Sequence, residues 1–138
     1  MDKALNYMAL ARKARLIEAG EEPVGAAARA QHARLIVVAS DASDHTWRRA
    51  KSFVAGTTQQ TLRVPFTKEE LGFAVGRQEL AVAAFTDAAL AASFVKALPQ
   101  PEKYKAVLEA LEAKAARQRQ RQKEAKAHEK NVRMGKKK

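Results

Sequence analysis

The chain has no cysteine among its 138 residues, which excludes disulfides and thiolate metal sites and makes a reducing cytoplasm the default setting. Its three histidines, His32, His45 and His128, lie far apart without ligand-spaced companions, so no metal is expected. No apolar run approaches the roughly 18 residues of a membrane span. Met1-Asp2-Lys3 leads into an amphipathic pattern instead of a signal-peptide apolar block. Neither a P-loop nor a complete dinucleotide-binding glycine pattern is present. Acidic residues are also scarce, 15 against 26 Lys and Arg, and the net charge of +11 calls for a polyanionic partner, nucleic acid or an acidic membrane surface.

What is present is enough apolar residue, 46%, for one ordinary domain, much of it alanine, so the helices are expected to pack closely around a modest core. The organising stretch is Arg34 to Asp41. Its run Leu35 to Val38 suits a central strand covered on both faces, and its polar Ser40-Asp41 exit lies where such sheets place ligands.

Helical patterns flank this strand, as in a sheet sandwiched between helices. The first runs from about Asp2 to Arg15, and a short strand at Leu16-Ile17 follows. Gly20-Glu21-Glu22-Pro23 enters a second helix reaching about Gln31. Ser43 or Asp44 caps a third, with Trp47, Ala50 and Val54 as its buried stripe, ended by Gly56. Thr61 to Phe66 reads as a strand, placed at an edge by Pro65. Thr67 and Glu70 form a capping box for a helix to Val75, closed by Gly76. Leu80 to Phe85 is a second buried strand, and Asp87 caps a helix through Lys96.

At Pro99-Gln100-Pro101 the composition changes. Residues 1 to 98 hold 13 Lys/Arg against 10 Asp/Glu, and residues 99 to 138 hold 13 against 5, so the charge divides as +3 and +8. This predicts a domain over 1-98, able to fold alone, and a basic helical to disordered extension over 99-138. Tyr104, Val107, Leu108 and Leu111 keep an apolar stripe for two turns, by which the start of this segment is expected to dock on the domain; beyond Ala116 the chain is basic and polar all round, the pattern of a frayed helix dissolving into a tail.

No catalytic centre is evident. Ser40, Asp41, Ser43, Asp44 and His45 hold the ingredients of a nucleophile and base, but neighbours on one turn do not converge as a triad does, and capping explains the Ser and Asp more simply. The glycine turns at Gly20 and Gly76 read locally as helix caps.

Taken in order, Met8 to Ala14, Gly20-Glu21-Glu22, Leu35 to Ala42 and Phe66-Thr-Lys-Glu-Glu-Leu71-Gly72-x-Ala74-x-Gly76 resemble the kink-turn-binding ribosomal proteins of the L-seven-Ae / L-thirty-e / Gadd-like superfamily, most of all the bacterial YlxQ-like branch. The resemblance covers residues 4 to 95. It implies an α/β fold, a three-layer α/β/α sandwich with a mixed four-stranded sheet, here with a basic C-terminal helical extension. It also implies RNA binding through two loops: Gly20, Glu21 and Glu22 with Pro23, and Gly76, Arg77, Gln78, Glu79 with Leu80. The kink-turn readers place Asn, Glu and, three residues later, Lys where this chain has Glu22, Pro23 and Ala26.

The expected function is therefore non-catalytic binding of structured RNA, such as ribosomal RNA or a kink-turn-like element, by a cytoplasmic, monomeric domain that needs no cofactor or membrane and acts in translation with the ribosome or another ribonucleoprotein. Arg29, Arg77, Gln78 and Glu79 are the loop-side candidates; Arg117, Arg119, Arg121, Lys123 and Lys126 are those of the extension. Competing readings are a ribosome-associated protein-docking module using the Tyr104 to Leu111 stripe, and an accessory domain delivering RNA to an enzyme.

Overall fold

The computed structural model describes residues 2–135, with side chains to Lys130. Four strands, β1 (Ile17–Ala19), β2 (Leu35–Val38), β3 (Gln60–Arg63) and β4 (Val82–Phe85), form one mixed sheet in the order β1-β4-β2-β3. β2 pairs parallel with β3 and antiparallel with β4, which pairs antiparallel with β1. Every residue of β2 and β4 is buried, as expected of strands covered on both faces.

One face carries α2 (Glu21–Arg29) and α3 (Asp44–Val54), which touch each other. The other carries α1 (Lys3–Lys13), α4 (Lys68–Ala74) and α5 (Ala88–Lys96), with α1 packed on both α4 and α5. This is the three-layer α/β/α sandwich. Among the described residues no helix is long and apolar enough to cross a membrane.

The helix starts follow local chemistry. Asp2, Ser43 and Asp87 each accept a backbone N–H of the first turn, from Ala4, Thr46 and Leu90. The Thr67–Glu70 box closes in both directions. Asp41 Oδ1 accepts the Lys68 N–H at 2.8 Å, so the Ser-Asp exit of β2 also serves the entry of α4. Gln59, the buried polar residue of the core, accepts the Ala33 N–H and donates to Ala28 O, joining the end of α2 to the start of β3.

Three expectations are corrected. β3 is an edge strand as Pro65 suggested, but it ends at Arg63; Val64 N still donates to Val38 O, and Phe66 O then accepts from Ser40 N as the chain leaves the sheet. β4 starts at Val82, because Leu80 N donates to Lys68 O and is drawn to α4. On α3 only Ala50 is buried; Trp47 stays half-exposed beneath the cations of Lys51 and Arg63, at 5.4 and 5.5 Å from its ring.

After a short 3₁₀ turn, Pro101–Tyr104, the long helix α6 (Lys105–Gly135) packs on α5. Leu111 is fully buried and Ala115 nearly so, while Tyr104, Val107 and Leu108 pack against the core. The apolar stripe thus turns onto the chain's own α5, with Tyr104, Val107 and Leu108 half-buried beside the fully buried Leu111. Lys96 and Glu112 pair across this contact at 2.9 Å, an exposed bridge that contributes well under about 1 kcal/mol beside Leu111. α6 remains helical through Gly135, past the fraying expected from Ala116; alanines and local pairs such as Gln120–Glu124 at 3.1 Å support it without a buried face. The expected tail Lys136 to Lys138 lies outside the described residues.

Candidate nucleic-acid interface

The strand directions put the two glycine loops at one end of the sheet. Gly20 N donates to Val82 O beside the start of β4, and Leu80 leads into that same start. Gly20 has φ +100° and Gly76 φ +76°, conformations that a side chain resists. Both glycines also lie beside a guanidinium, Gly76 more tightly than Gly20. A Cβ at Gly20 would lie 3.6 Å from the Arg77 guanidinium, and one at Gly76 would lie 3.1 Å from that of Arg12. The cleft between the loops, about 380 Å³, is lined by Arg12, Glu18, Pro23, Gly76 and Arg77, together with Ile17, Ala19 and Val75.

Gln78 and Glu79 face a neighbouring cleft of about 520 Å³, shared with Asp41, Thr67, Lys68 and Glu69. Arg77, Gln78 and Glu79 are exposed, so their donors and acceptors are available to a ligand. The loop that carries them is held from below: Arg77 N donates to Gly72 O at 2.8 Å, and Gly72 leaves no room for a side chain against the backbone of Glu79. Phe73, 71% exposed, lies on the helix leading into this loop.

The sequence-predicted residues do not all converge. Glu21 is ion-paired with Arg49 of α3, whose guanidinium also lies 5.2 Å from the Phe53 ring centre. Glu22 is exposed in the first turn of α2. Arg29 is at the far end of that helix, beside Gly25 and away from both loops. On α6, Arg117 and Arg121 share one side with Lys114, whereas Arg119 lies over α5 beside Ala89, Ser93 and Glu112. Lys123 and Lys126 lie further along α6 and are exposed.

Sequence reasoning missed Arg12, Phe73 and Lys68 at the loops, and Arg34 and Lys114 elsewhere; Asp41, at the polar exit of the central strand, does line the second cleft. Arg12 had a weak signal, as a cation at the end of α1. Lys114, Arg117, Gln118 and Arg121 had a stronger one, the i, i+3, i+4, i+7 spacing of one helical side.

Lys114 has its pKa lowered from 10.5, first by desolvation and then by the charges of Arg34 and Arg117. Folding therefore disfavours its charged form. The penalty is present in full below the lowered pKa, where both states are protonated, and fades as pH rises toward 10.5 because the folded lysine releases its proton first. Lys114→Met is expected to stabilise the fold at neutral pH, and the gain should shrink near pH 10.5. Denaturant titrations at the two pH values check this; a gain independent of pH would trace it to packing instead.

Among the described residues no three His, Asp or Glu side chains gather as a metal-binding group. No family model matches the chain, and neither does any curated protein. Among solved structures, it is similar to a 15.5kD RNA binding protein of Giardia lamblia, with 18% identity and a TM-score of 0.59 over 75% of this chain and 85% of that one, a likeness of fold. It is also similar to a protein of unknown function from Bacillus halodurans C, with a TM-score of 0.62 over 68% of this chain. At 30% identity over 98% of that protein's length, the chain belongs to the same family as the Bacillus halodurans protein.

Proposed function

We propose that the protein binds structured RNA without catalysis, using the paired glycine loops to recognise shape and α6 to hold phosphates. The observation that carries this reading is the side-by-side placement of the loops, with Arg77 against Gly20 and Arg12 against Gly76. Two glycines at positive φ let backbone and ligand approach closely, and two guanidiniums supply charge beside them. The fold shared with the Giardia RNA binding protein supports the same class of ligand.

The chemistry divides in two. Lys and Arg contacts to phosphate provide affinity with little sequence information, whereas Gln78, Glu79 and the exposed Phe73 ring offer hydrogen bonds and a stacking surface to unpaired bases. The pairing of Glu21 with Arg49 offsets one carboxylate at the first loop, and so reduces repulsion of an approaching phosphate. Within this reading the chain is a member of the L-seven-Ae / L-thirty-e group in its YlxQ-like branch, and its ligand is ribosomal RNA or a kink-turn-like element met in the cytoplasm as a monomer. Glu22, Pro23 and Ala26 in place of Asn, Glu and Lys transfer discrimination from the first loop to the second.

The test is a pair of variants. Arg77→Ala with Gln78→Ala is expected to reduce discrimination between a folded RNA and a duplex of equal length about tenfold or more, with a small change in salt dependence. Neutralising Arg117, Arg119 and Arg121 should weaken both ligands alike and lower the log-log salt slope by up to about three. Glu22→Ala abolishing selectivity while the other variants bind as wild type would return recognition to the first loop and sink the scheme.

A further inference from the structure

At the opposite end of the sheet from the glycine loops, α6 crosses the start of β2 and the turn before β3. There Arg34, Lys114, Arg117 and Arg121, with Thr58 and Gln118, line a notch of about 210 Å³. The strands fix its position: Arg34 N donates to Phe85 O at the end of β4 remote from Val82. Asp41, at the loop end, lies seven positions on from Arg34, roughly 23 Å along an extended chain.

Four cationic side chains share this notch, and no carboxylate lines it. Unscreened cations brought together repel one another, so the arrangement favours an anion that can lie among them. The notch also has fixed donors. The Arg34 Nε–H is buried without a hydrogen-bond partner, a desolvated donor that an acceptor would satisfy. Gln118 Oε1 accepts the Ala88 N–H at 3.4 Å, which fixes the amide and leaves its NH₂ group to donate. Guanidinium pairs and an ammonium match the tetrahedral oxyanion of a phosphate better than a single carboxylate, because several donors converge from different directions. The lowered pKa of Lys114 agrees with a group that gains from a nearby negative charge.

We propose that this notch is a phosphate-binding site separate from the glycine loops, which seats a backbone phosphodiester of a bound RNA between Arg34 and the basic side of α6. The source of the phosphate rests on the RNA-binding reading; the site itself rests on the convergence of its donors. An RNA engaging both ends must span the height of the sheet, so its path would run along α6 instead of ending at the loops.

The test separates a built site from undirected charge. Arg117→Gln with Arg121→Gln removes two exposed notch cations, and Arg48→Gln with Lys51→Gln removes two exposed cations of α3, on the other face of the sheet. With structured RNA, the notch pair is expected to lower the salt slope by about one to two and the control pair by less than about half a unit. Equal losses from the two pairs would overturn the proposal. In a second arm, pyrophosphate is titrated into the full-length protein and followed by NMR. The Arg34 Nε–H, Thr58 N–H and Ala88 N–H signals should shift in wild type and in the control variant and stay in place in the notch variant. Absence of these shifts in wild type would overturn the site whether or not RNA binds; shifts without RNA binding would support it with free polyphosphate as the source, and would count against the proposed function alone.

Discussion

A chain ending at Leu98 is expected to lose much of its stability, either arriving unfolded or melting at least about 10 °C below the full-length protein. The cut removes Leu111, fully buried, and Ala115, and it uncovers the side of α5 that α6 packs on. Loss of a buried leucine side chain alone costs about 2–5 kcal/mol, against a total of about 5–15 kcal/mol for an ordinary domain. Each kcal/mol shifts a melting midpoint by about 2–8 °C in this size range. A chain ending at Ala116 retains the buried contacts and should melt close to full length, since from Arg117 to Lys130 every side chain except the half-buried Gln118 is exposed. We therefore propose that the folding unit closes after Ala115, not after Leu98. Thermal melts of the two truncations followed by circular dichroism decide the matter: equal midpoints would show that α6 rests on a core already complete.

Gly72→Val is expected to damage stability and recognition together. A Cβ at Gly72 would lie 2.8 Å from both N and Cα of Glu79 and 2.9 Å from the Arg77 carbonyl oxygen. These are backbone atoms, so no rotamer change relieves the contact, and either α4 or the loop must move. Removing glycine from a helix returns about 0.5–1 kcal/mol in conformational entropy, whereas overpacking of this kind costs about 1–3 kcal/mol and more for a branched side chain. The clash wins. Because the displaced segment carries Arg77, Gln78 and Glu79, discrimination among RNAs should fall even at temperatures where the variant is fully folded. Gly56→Ala is the comparison: its φ is +75° and nothing lies within 4 Å, so it should cost about 1 kcal/mol of strain without altering binding. Melting curves and RNA competition on the two variants check both halves; unchanged discrimination by folded Gly72→Val would detach the loop's position from recognition.

Local signals carried most of the fold. Asp2, Ser43, Thr67 with Glu70, and Asp87 each satisfy a helix N–H that the backbone itself cannot, so their meaning is legible within four residues. The run Leu35 to Val38 was equally plain, because a strand buried on both faces has no polar alternation to obscure it. The strand ends were less so: Leu80 leaves the sheet for a bond to Lys68, and that competition is set by tertiary distance. At the site, the glycines announced their turns, but the guanidiniums beside them come from elsewhere, as with Arg12 of α1 against Gly76. Arg34 and Lys114 are 80 positions apart, and no periodicity links them. The stripe ending at Leu111 is legible as apolar and as docking on the domain, but that α5 is the helix it covers is set by tertiary packing.

The continuity of α6 has one more consequence. From Arg121 to Lys130 it advances about 1.5 Å per residue, roughly 14 Å, with every side chain exposed. A helical segment holds its charges at set distances from the sandwich, unlike a flexible strand that samples many lengths. Successive residues turn by about 100°, so Lys123, Lys126 and Lys130 fall within about 60° of one another, on the side of the helix opposite Arg121. The projecting segment is therefore a spar with a defined reach and a charged side: it sets how far from the loops a polyanion can be held, and from which direction.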